Sequence, residues 1–337
     1  MTMSDALDIS VVVPTFNRGP QLEPLLTSLL DQDAGALEYE IVVVDNNSTD
    51  DTRSIVARVA SRDPRGRLRY VFEPRQGVSY ARNTGVAQTT APVIAFLDDD
   101  GVPGRDWVRE MKRAFDEHPE VDCIGGRIKP RWVHPRPSWL TAAHWGPIAV
   151  QDRPTAAYLN RQQASACLLS ANLGCRREAF DAVGGFSPDY PRNQDREFEI
   201  RLWRAGRQGL YLPAMDVTVD VPAQRLTRRY HRRWQATTGR YHALMRYRDR
   251  LSAEGAIIEE PVNRPKIFGS PRFLYREFLA HLIGFVRAAV TFDRDSRFFH
   301  ETRIWYSVSF FWTRWKTRTT AVTAAAGGAE AVRSSGQ

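Results

Sequence analysis

Three consecutive aspartates, Asp98, Asp99 and Asp100, follow an apolar run at residues 93–97. Adjacent carboxylates repel one another unless a cation offsets their charge. Hard carboxylate oxygens suit Mg²⁺ or Mn²⁺, which usually keep water and phosphate oxygens as further ligands. The run therefore predicts a metal site for a phosphate-bearing molecule. Taken alone, it also fits a solvated acidic turn or a helix cap.

Two more polar loops follow apolar runs upstream, after residues 9–13 and after residues 41–44. The carboxyl ends of parallel strands meet at one edge of a sheet, which is where open α/β sheets bind their ligands. Three loops at that edge would enclose a nucleotide, although each is also typical of ordinary turns and helix caps. The candidate binding residues in the two upstream loops are Pro14, Thr15, Asn17, Arg18, Asp45 and Asn47.

The elements that position these loops alternate between strands and helices. Leucines at helical spacing between residues 22 and 30 predict the first helix, and further helices are predicted to begin near residues 51 and 78. Such alternation predicts an α/β fold with a doubly wound, mostly parallel sheet and helices on both faces. The predicted buried strands cover residues 9–13, 41–44, 68–72 and 93–97.

The composition restricts the class of protein. The 337 residues include 47 Lys and Arg against 39 Asp and Glu, and this net charge of +8 favours anionic partners. No recognised nucleic-acid motif accompanies that charge, so we expect no nucleic-acid partner. Three cysteines without a C-x-x-C pairing predict neither a disulfide framework nor a zinc site. Residues 1–8 do not resemble a signal peptide and no uninterrupted apolar run reaches about 18 residues, so we expect a cytoplasmic protein without transmembrane helices.

A further stretch, GVSYARNTG at residues 77–85, lies just before the acidic strand. The order and spacing of these segments resemble the family 2 glycosyltransferases with the GT-A fold, over residues 9–239. The resemblance implies a Rossmann-like catalytic domain, a nucleoside-diphosphate sugar as donor, most often a UDP-sugar, and Mg²⁺ or Mn²⁺ as cofactor. It also implies a saccharide or lipid-linked acceptor in cell-surface glycan biosynthesis.

The resemblance also assigns roles to individual residues. Thr15 and Asp45 match positions that hold the base and the ribose of the nucleotide. Arg82 matches a basic residue near the base, and the alternative for this side chain is a charge on a helix surface. The acidic run matches the family's metal motif, with Asp100 as the first metal ligand and Asp98 or Asp99 contacting ribose or metal. The assignments completing the nucleotide and metal sites are Gly77, Asp98, Asp99 and Asp100.

Further along the chain, the resemblance implies an acceptor side formed by Asn172, Gly185 and Gln194. Asp195 matches the acid that serves as general base, while Gln194 replaces the family's usual glutamate. Such a carboxylate would take the proton of the acceptor hydroxyl as that hydroxyl attacks the anomeric carbon, and one displacement would invert the anomeric centre. The alternative for Asp195 is a first-turn acid that interacts with the helix dipole.

Asp220 is the clearest departure from the family, because many relatives place a histidine there, near the metal or the diphosphate. An aspartate can still bind a hard cation, so Asp220 is a third candidate metal ligand. Its negative charge would require tighter metal binding, compensation by the arginine-rich stretch at residues 225–233, or a position outside the site.

The predicted domains are a catalytic domain at residues 1–250, with a nucleotide half at about 9–100 and an acceptor half at about 101–250, then a helical extension and a disordered tail. The extension covers residues 251–319 and the tail residues 320–337. An apolar stripe in the extension fits a helix packed on its own domain, a dimer contact or peripheral contact with an anionic membrane. The stripe consists of Phe273, Leu274, Phe278, Leu282, Phe285 and Val286.

Two other functions compete with glycosyl transfer. A non-catalytic nucleotide-sugar scaffold or sensor would explain the departures at Gln194 and Asp220, whereas retention of Asp195 and the three acids favours an enzyme. Nucleic-acid binding through the arginine-rich stretch would show a steep dependence on salt concentration.

Overall fold

The computed structural model describes residues 6–162, 167–251, 256–257 and 266–333, without the side chains of residues 247, 250 and 318–333. The chain forms two compact units, which we call the sheet unit and the helical unit. The sheet unit comprises Met1–Pro135, Ile148–Ala223 and Ala253–Ile257. The helical unit comprises Arg136–Pro147, Gln224–Ser252 and Ile258–Gln337. Residues 224–250, which we predicted to close the catalytic domain, thus group with the C-terminal helices.

The amino-terminal half of the sheet unit is the parallel, alternating layer that the sequence predicts. The strands lie in the order β3-β2-β1-β4, and β1, β2 and β4 are buried along their whole lengths. Burial on both faces explains why these strands are continuous apolar runs. The elements are β1 (Ile9–Thr15), α1 (Gly19–Leu30), β2 (Tyr39–Asp45), α2 (Thr52–Ala60), β3 (Leu68–Phe72), α3 (Val78–Ala87) and β4 (Val93–Leu97).

Beyond β4 the sheet becomes mixed. β8 lies antiparallel between β4 and β6, so that the described part of the sheet runs β3-β2-β1-β4-β8-β6-β9-β5, with β7 beside β9. The three cysteines are free thiols. The elements are β5 (Gly101–Pro103), α4 (Trp107–Glu117), β6 (Cys123–Arg131), β7 (Ala157–Leu159), β8 (Asn172–Arg176), α5 (Arg177–Val183), α6 (Gln194–Arg204) and β9 (Gly209–Asp220).

The helical unit packs three long helices around a small apolar core. Ala243, Leu274 and Phe310 are buried together, one from each helix. The described helices include none that is long and apolar enough to cross a membrane. The elements are α7 (Arg228–Met245), β10 (Lys266–Ile267), β11 (Ser270–Pro271), α8 (Arg272–Val290) and α9 (Arg294–Arg333).

Two expectations for this unit differ from the structure. Helix α9 continues to Arg333, through most of the segment for which we predicted disorder, and its alanine-rich sequence favours a helix. Residues 334–337 lie outside the described part. The arginines at the start of α7 take part in packing, since Arg228 lies over the Phe298 ring at 5.0 Å and Arg232 Nε donates to Glu301 Oε1 at 2.6 Å.

Candidate active site

The carboxyl edge of the parallel strands brings the first and third predicted loops into direct contact. Thr15, the last residue of β1, donates its hydroxyl to Asp99 Oδ2 at 2.8 Å. Burial, and next the negative charge of Asp100, raise the pKa of Asp99 to about 7, while the Thr15 hydrogen bond opposes the shift. Asp99 is therefore held against β1, and Asp98 and Asp100 on either side of it are the better candidates to face a ligand.

The loops after β1 and β2 are joined by hydrogen bonds. Asn17 N donates to Ser48 Oγ at 2.9 Å, and Asn17 Oδ1 accepts from Thr49 N at 2.8 Å. Asn17 and Asn47 both adopt positive φ, at 51° and 65°, a conformation that asparagine tolerates better than most residues. The polar side chains of both loops thus serve to join them. We call these two loops, which include Arg18, and the acidic loop after β4 the rim of the site.

Asp45, at the end of β2, is buried and has a protein partner at each carboxylate oxygen. Ser48 N donates to Oδ1 at 2.9 Å, and the Tyr70 hydroxyl donates to Oδ2 at 2.7 Å. Burial, and next the hydrogen bond to Asp45, raise the pKa of Tyr70 to about 12. Tyr70 is a partner that the sequence analysis missed, because its position on β3 became apparent only with the register that places β3 beside β2.

Gly77 precedes α3 with φ at 141°, in a region that residues with a Cβ rarely adopt. Its N–H donates to Asn46 Oδ1 at 2.7 Å, while Asn46 Nδ2 donates to Arg75 O at 2.6 Å. The loop that follows β3 is therefore fixed to the end of β2. This attachment sets the start of α3 and, one turn later, the position of Arg82.

Arg82 is 2% exposed, so the alternative of a helix-surface charge is wrong. Its Nη2 donates to Asp98 Oδ1 at 2.8 Å, and its guanidinium lies over the Phe186 ring at 5.5 Å. Nε and Nη1 are buried and have no hydrogen-bond partner among the described residues. An incompletely bonded guanidinium is costly to bury, and positions of this kind are often functional.

Asp195 lies in the first turn of α6, as predicted, and is partly buried. Burial raises the pKa of its carboxyl group. Backbone hydrogen bonds of Arg196 and Ser170 and the charge of Arg82 oppose the shift, whereas the charge of Asp98 adds to it. Asp195, Arg82 and Asp98 therefore interact electrostatically, which brings the predicted base and the predicted metal motif into one site.

Glu199 is a second acid on the same face of α6 that the sequence analysis missed. It is 1% exposed, its Oε1 accepts from Leu168 N, and its Oε2 has no hydrogen-bond partner among the described residues. The Arg196 guanidinium lies 3.7 Å from that oxygen. Burial raises the pKa of Glu199 to about 8. The spacing of four residues from Asp195 could have indicated a shared helix face.

The predicted acceptor residues occupy different environments. Asn172 is fully buried; its Oδ1 accepts from Trp107 Nε1 at 2.8 Å and its Nδ2 donates to two backbone carbonyls, so it holds strands together rather than facing a ligand. Gly185 leaves no room for a Cβ beside Asn83, whose side chain bonds both backbone groups of Phe186 at 2.8 Å. Gln194 has a buried Oε1 without a partner among the described residues.

Asp220 lies beside the acidic motif. β5 and β9 pair antiparallel with Gly101 opposite Val219, so Asp100 and Asp220 are the next residues along the two strands. Arg131 from β6 holds both carboxylate oxygens of Asp220, with Nη2 2.9 Å from Oδ2. An arginine therefore compensates the unusual negative charge, and it comes from β6 rather than from residues 225–233.

The donor set at this edge fits a divalent cation that also binds a ligand. Asp98 has a hard carboxylate whose side chain is 36% exposed, and Asp100 supplies a second carboxylate two residues further on. Within the described ranges, no three His, Cys, Asp or Glu side chains are arranged to hold a metal by themselves. Mg²⁺ or Mn²⁺ here would need further oxygens, of the kind that a diphosphate supplies.

The model of the family described as "Glycosyl transferase family 2" matches residues 10–184, just over half of the chain. The chain belongs to this family. The match covers β1 except for Ile9, the strands β2 to β4 and the acidic motif. It ends before Asp195, so the role of that residue rests on the geometry of α6 and on the resemblance.

Solved glycosyltransferase structures show the same GT-A fold. The mannosyltransferase PcManGT from Pyrobaculum calidifontis, in complex with GDP-Man and Mn²⁺, superposes with a TM-score of 0.55 at 20% identity, over 99% of this chain and 80% of that one. S. aureus TarS 1–349 in complex with UDP gives a TM-score of 0.51 at 18% identity, over 93% and 92% of the two chains. At these identities the likeness shows the fold alone.

A relative by sequence is the glucosyl-dolichyl phosphate glucuronosyltransferase of Haloferax volcanii, which is 24% identical over 199 residues. The aligned segment is 57% of this chain, and the chain spans about 60% of the length of that relative.

Arg82 provides a test of the electrostatic coupling at the site. As the expected general base, Asp195 would accept a proton only in its ionised form, so activity should fall as the pH drops through its pKa. Replacing Arg82 with methionine removes a positive charge that lowers this pKa, and the acid limb of the kcat/KM profile for nucleotide-sugar hydrolysis should move to higher pH. The Arg82→Lys variant keeps the charge and should keep the limb nearer its original position. An unmoved limb in Arg82→Met would refute the coupling.

Glu199 provides a test of stability. Its pKa in the folded protein is about 8, above the ordinary value of 4.5, so the stability it contributes is present at low pH and is lost as the pH rises from about 4.5 to 8. Glu199→Gln resembles the protonated form and should melt at least about 3 °C above the parent protein at pH 8, with a smaller difference at pH 5.5. Glu199→Ala leaves Leu168 N without a partner and should cost about 1–3 kcal/mol. Thermal melts at both pH values measure this, and a lower melting temperature for Glu199→Gln at pH 8 would contradict the assignment.

Proposed function

We propose that this protein is an inverting glycosyltransferase that moves a sugar from a nucleoside-diphosphate sugar to a saccharide or lipid-linked acceptor. The observation that carries the proposal is the electrostatic link from Asp98 through buried Arg82 to Asp195. This link supports a metal-binding role for Asp98 and a proton-accepting role for Asp195 within one site. Family membership supplies the reaction class, and the site supplies residues for each part of it.

Asp195 is the proposed general base. Burial raises its pKa towards the range in which a carboxylate accepts a proton effectively, while Arg82 keeps the ionised form accessible. The acceptor hydroxyl would give its proton to Asp195 as its oxygen forms a bond to the anomeric carbon. The bond from that carbon to the diphosphate breaks in the same displacement, so the anomeric configuration inverts.

The nucleoside diphosphate would lie along the rim formed by the loops after β1, β2 and β4. Asp98 and Asp100 are the residues proposed to hold Mg²⁺ or Mn²⁺, whereas both carboxylate oxygens of the neighbouring Asp220 are bound by Arg131. When bound, the metal supplies positive charge that offsets the negative charge developing on the departing diphosphate. Arg18, whose charge lowers the pKa of Asp99, adds a cation at the same rim.

The donor and acceptor follow from the relatives and from the family. We take a UDP-sugar as the first candidate donor, because TarS 1–349 was solved with UDP; the GDP-Man of PcManGT makes a GDP-sugar the second. The dolichyl phosphate in the name of the Haloferax relative supports a lipid-linked acceptor. We accordingly propose a role in cell-surface glycan biosynthesis, in the cytoplasm at the inner face of the cell membrane.

Variants at Asp195 and Asp100 separate catalysis from binding. Asp195→Asn should bind donor and Mn²⁺ as the parent protein does, yet hydrolyse or transfer the donor about 10²–10⁴-fold more slowly, because it lacks the base. Asp100→Ala should lose the Mn²⁺-dependent part of donor binding. Calorimetric titration with UDP-, GDP- and dTDP-sugars, with and without Mn²⁺, measures binding, and release of nucleoside diphosphate measures turnover.

Asp181→Asn, at an exposed acid on α5, is the matched control and should behave like the parent protein. Normal turnover by Asp195→Asn would overturn the base assignment. Tight binding without turnover in the parent protein, with a range of acceptors present, would favour the non-catalytic scaffold or sensor instead.

A further inference from the structure

One face of helix α8 carries apolar side chains that the described structure leaves exposed. We call Leu279, Ile283, Val286 and Val290 the outer stripe; they are 56%, 60%, 59% and 72% exposed. Their spacing of four, three and four residues places them within about 60° of one another around the helix. Phe292, just beyond the helix, is 89% exposed. Scattered apolar residues are common on protein surfaces, whereas an aligned row of this length indicates a binding surface.

The outer stripe is not the face by which α8 packs. Leu274 is buried in the core of the helical unit, and Phe278 contacts the Phe311 ring of α9 at a centroid distance of 5.8 Å. Tyr275 lies one turn before Leu279 on the side of the outer stripe and stacks on the same ring at 4.2 Å, so this side of α8 is exposed from Leu279 onward. Most of the stripe predicted from the sequence belongs to this inner side, with only Val286 shared. Internal packing of α8 therefore leaves the outer stripe unexplained.

The exposed charges that α8 itself carries beside the outer stripe are positive. Arg272, Arg276 and Arg287 are exposed on α8. The helix has one acid, Glu277, whose Oε2 accepts from Arg248 Nη2 at 2.6 Å and is thus partly neutralised. A second copy of the chain laid against this face would bring arginines towards arginines, which is unfavourable. A surface of anionic lipid headgroups complements them.

We propose that the outer stripe and its arginines dock the protein on an anionic lipid bilayer. The helix would lie in the plane of the interface, with the four apolar side chains among the upper acyl groups and the arginines at the headgroups. Lying in the plane accords with the finding that none of the described helices can span a membrane. This inference goes beyond the proposed glycosyl transfer and does not depend on the identity of donor or acceptor.

Vesicle co-sedimentation of the full-length protein tests the proposal. The parent protein should bind vesicles of equimolar phosphatidylcholine and phosphatidylglycerol and bind much less to pure phosphatidylcholine. Ile283→Ser/Val290→Ser should weaken binding to the mixed vesicles by about tenfold or more, because two apolar side chains no longer leave water. Val133→Ser, at a residue of the sheet unit that is 48% exposed, is the matched control and should bind normally.

A charge-reversal pair tests the arginines independently. Arg276→Glu/Arg287→Glu should also lose binding, whereas Arg58→Glu/Arg62→Glu changes the net charge equally on exposed residues of the sheet unit and should bind normally. Because Arg276 and Arg287 are exposed, the melting temperature of their variant should match that of the parent protein. The sheet-unit variant loses the ion pairs of Arg58 and Arg62 with Glu23, so a circular-dichroism spectrum checks that it is folded.

Three results would overturn the proposal. They are equal binding by the stripe variant and the parent protein, equal binding to both kinds of vesicle, and a dimer abolished by the stripe substitutions in a protein that does not bind vesicles. Nucleotide-sugar titration of the same preparations reports on the proposed transferase function separately.

Discussion

The candidate active site gathers several acids in one region at the edge of the sheet, and its function requires that some of them stay ionised. Asp45, Asp98, Asp99, Asp100 and Asp195 all lie in that region, partly or fully buried. Burial raises the pKa of such carboxylates and the charges of neighbouring acids add to the shift, as the value of about 7 for Asp99 illustrates. The positive charge of buried Arg82 opposes the rise in the pKa of Asp195. Surrounding contacts hold the other acids in place. The Thr15 hydroxyl holds Asp99, the Tyr70 hydroxyl holds Asp45, and Arg131 holds Asp220.

The need to hold these charged groups in fixed positions explains why the site is built from both strand ends and helices. The acids sit at the ends of strands whose positions are set by the buried core of the sheet, whereas Arg82 comes from α3 and Asp195 from α6. The Asn83 side chain ties the Gly185–Phe186 turn to α3. Arg82 and the segment leading to the base are thereby held to one another through neighbouring residues. Preorganisation of this kind is what electrostatic catalysis requires.

Much of this arrangement could be predicted from local sequence. Buried parallel strands are continuous apolar runs, so β1 to β4 and the polar loops after them were identified with nearly correct limits. What the sequence left undetermined depended on long-range pairing. The strand registers place Tyr70 beside Asp45 and Arg131 beside Asp220, and the packing of α3 determines the burial of Arg82. The grouping of residues 224–250 with the C-terminal helices likewise depends on long-range contacts. The sequence does not distinguish the outer stripe of α8 from the inward-facing one, because the apolar residues of both faces alternate along the same segment.

The central claim is that one displacement, assisted by Asp195, moves the sugar. The most direct measurement is proton NMR of the sugar first released when the protein hydrolyses an α-linked nucleotide sugar that it binds, recorded before the anomers equilibrate. A single displacement by water predicts the β-anomer at the earliest times, with the α-anomer growing only by mutarotation. Initial release of the α-anomer would contradict the account, because retention requires a different arrangement of catalytic groups.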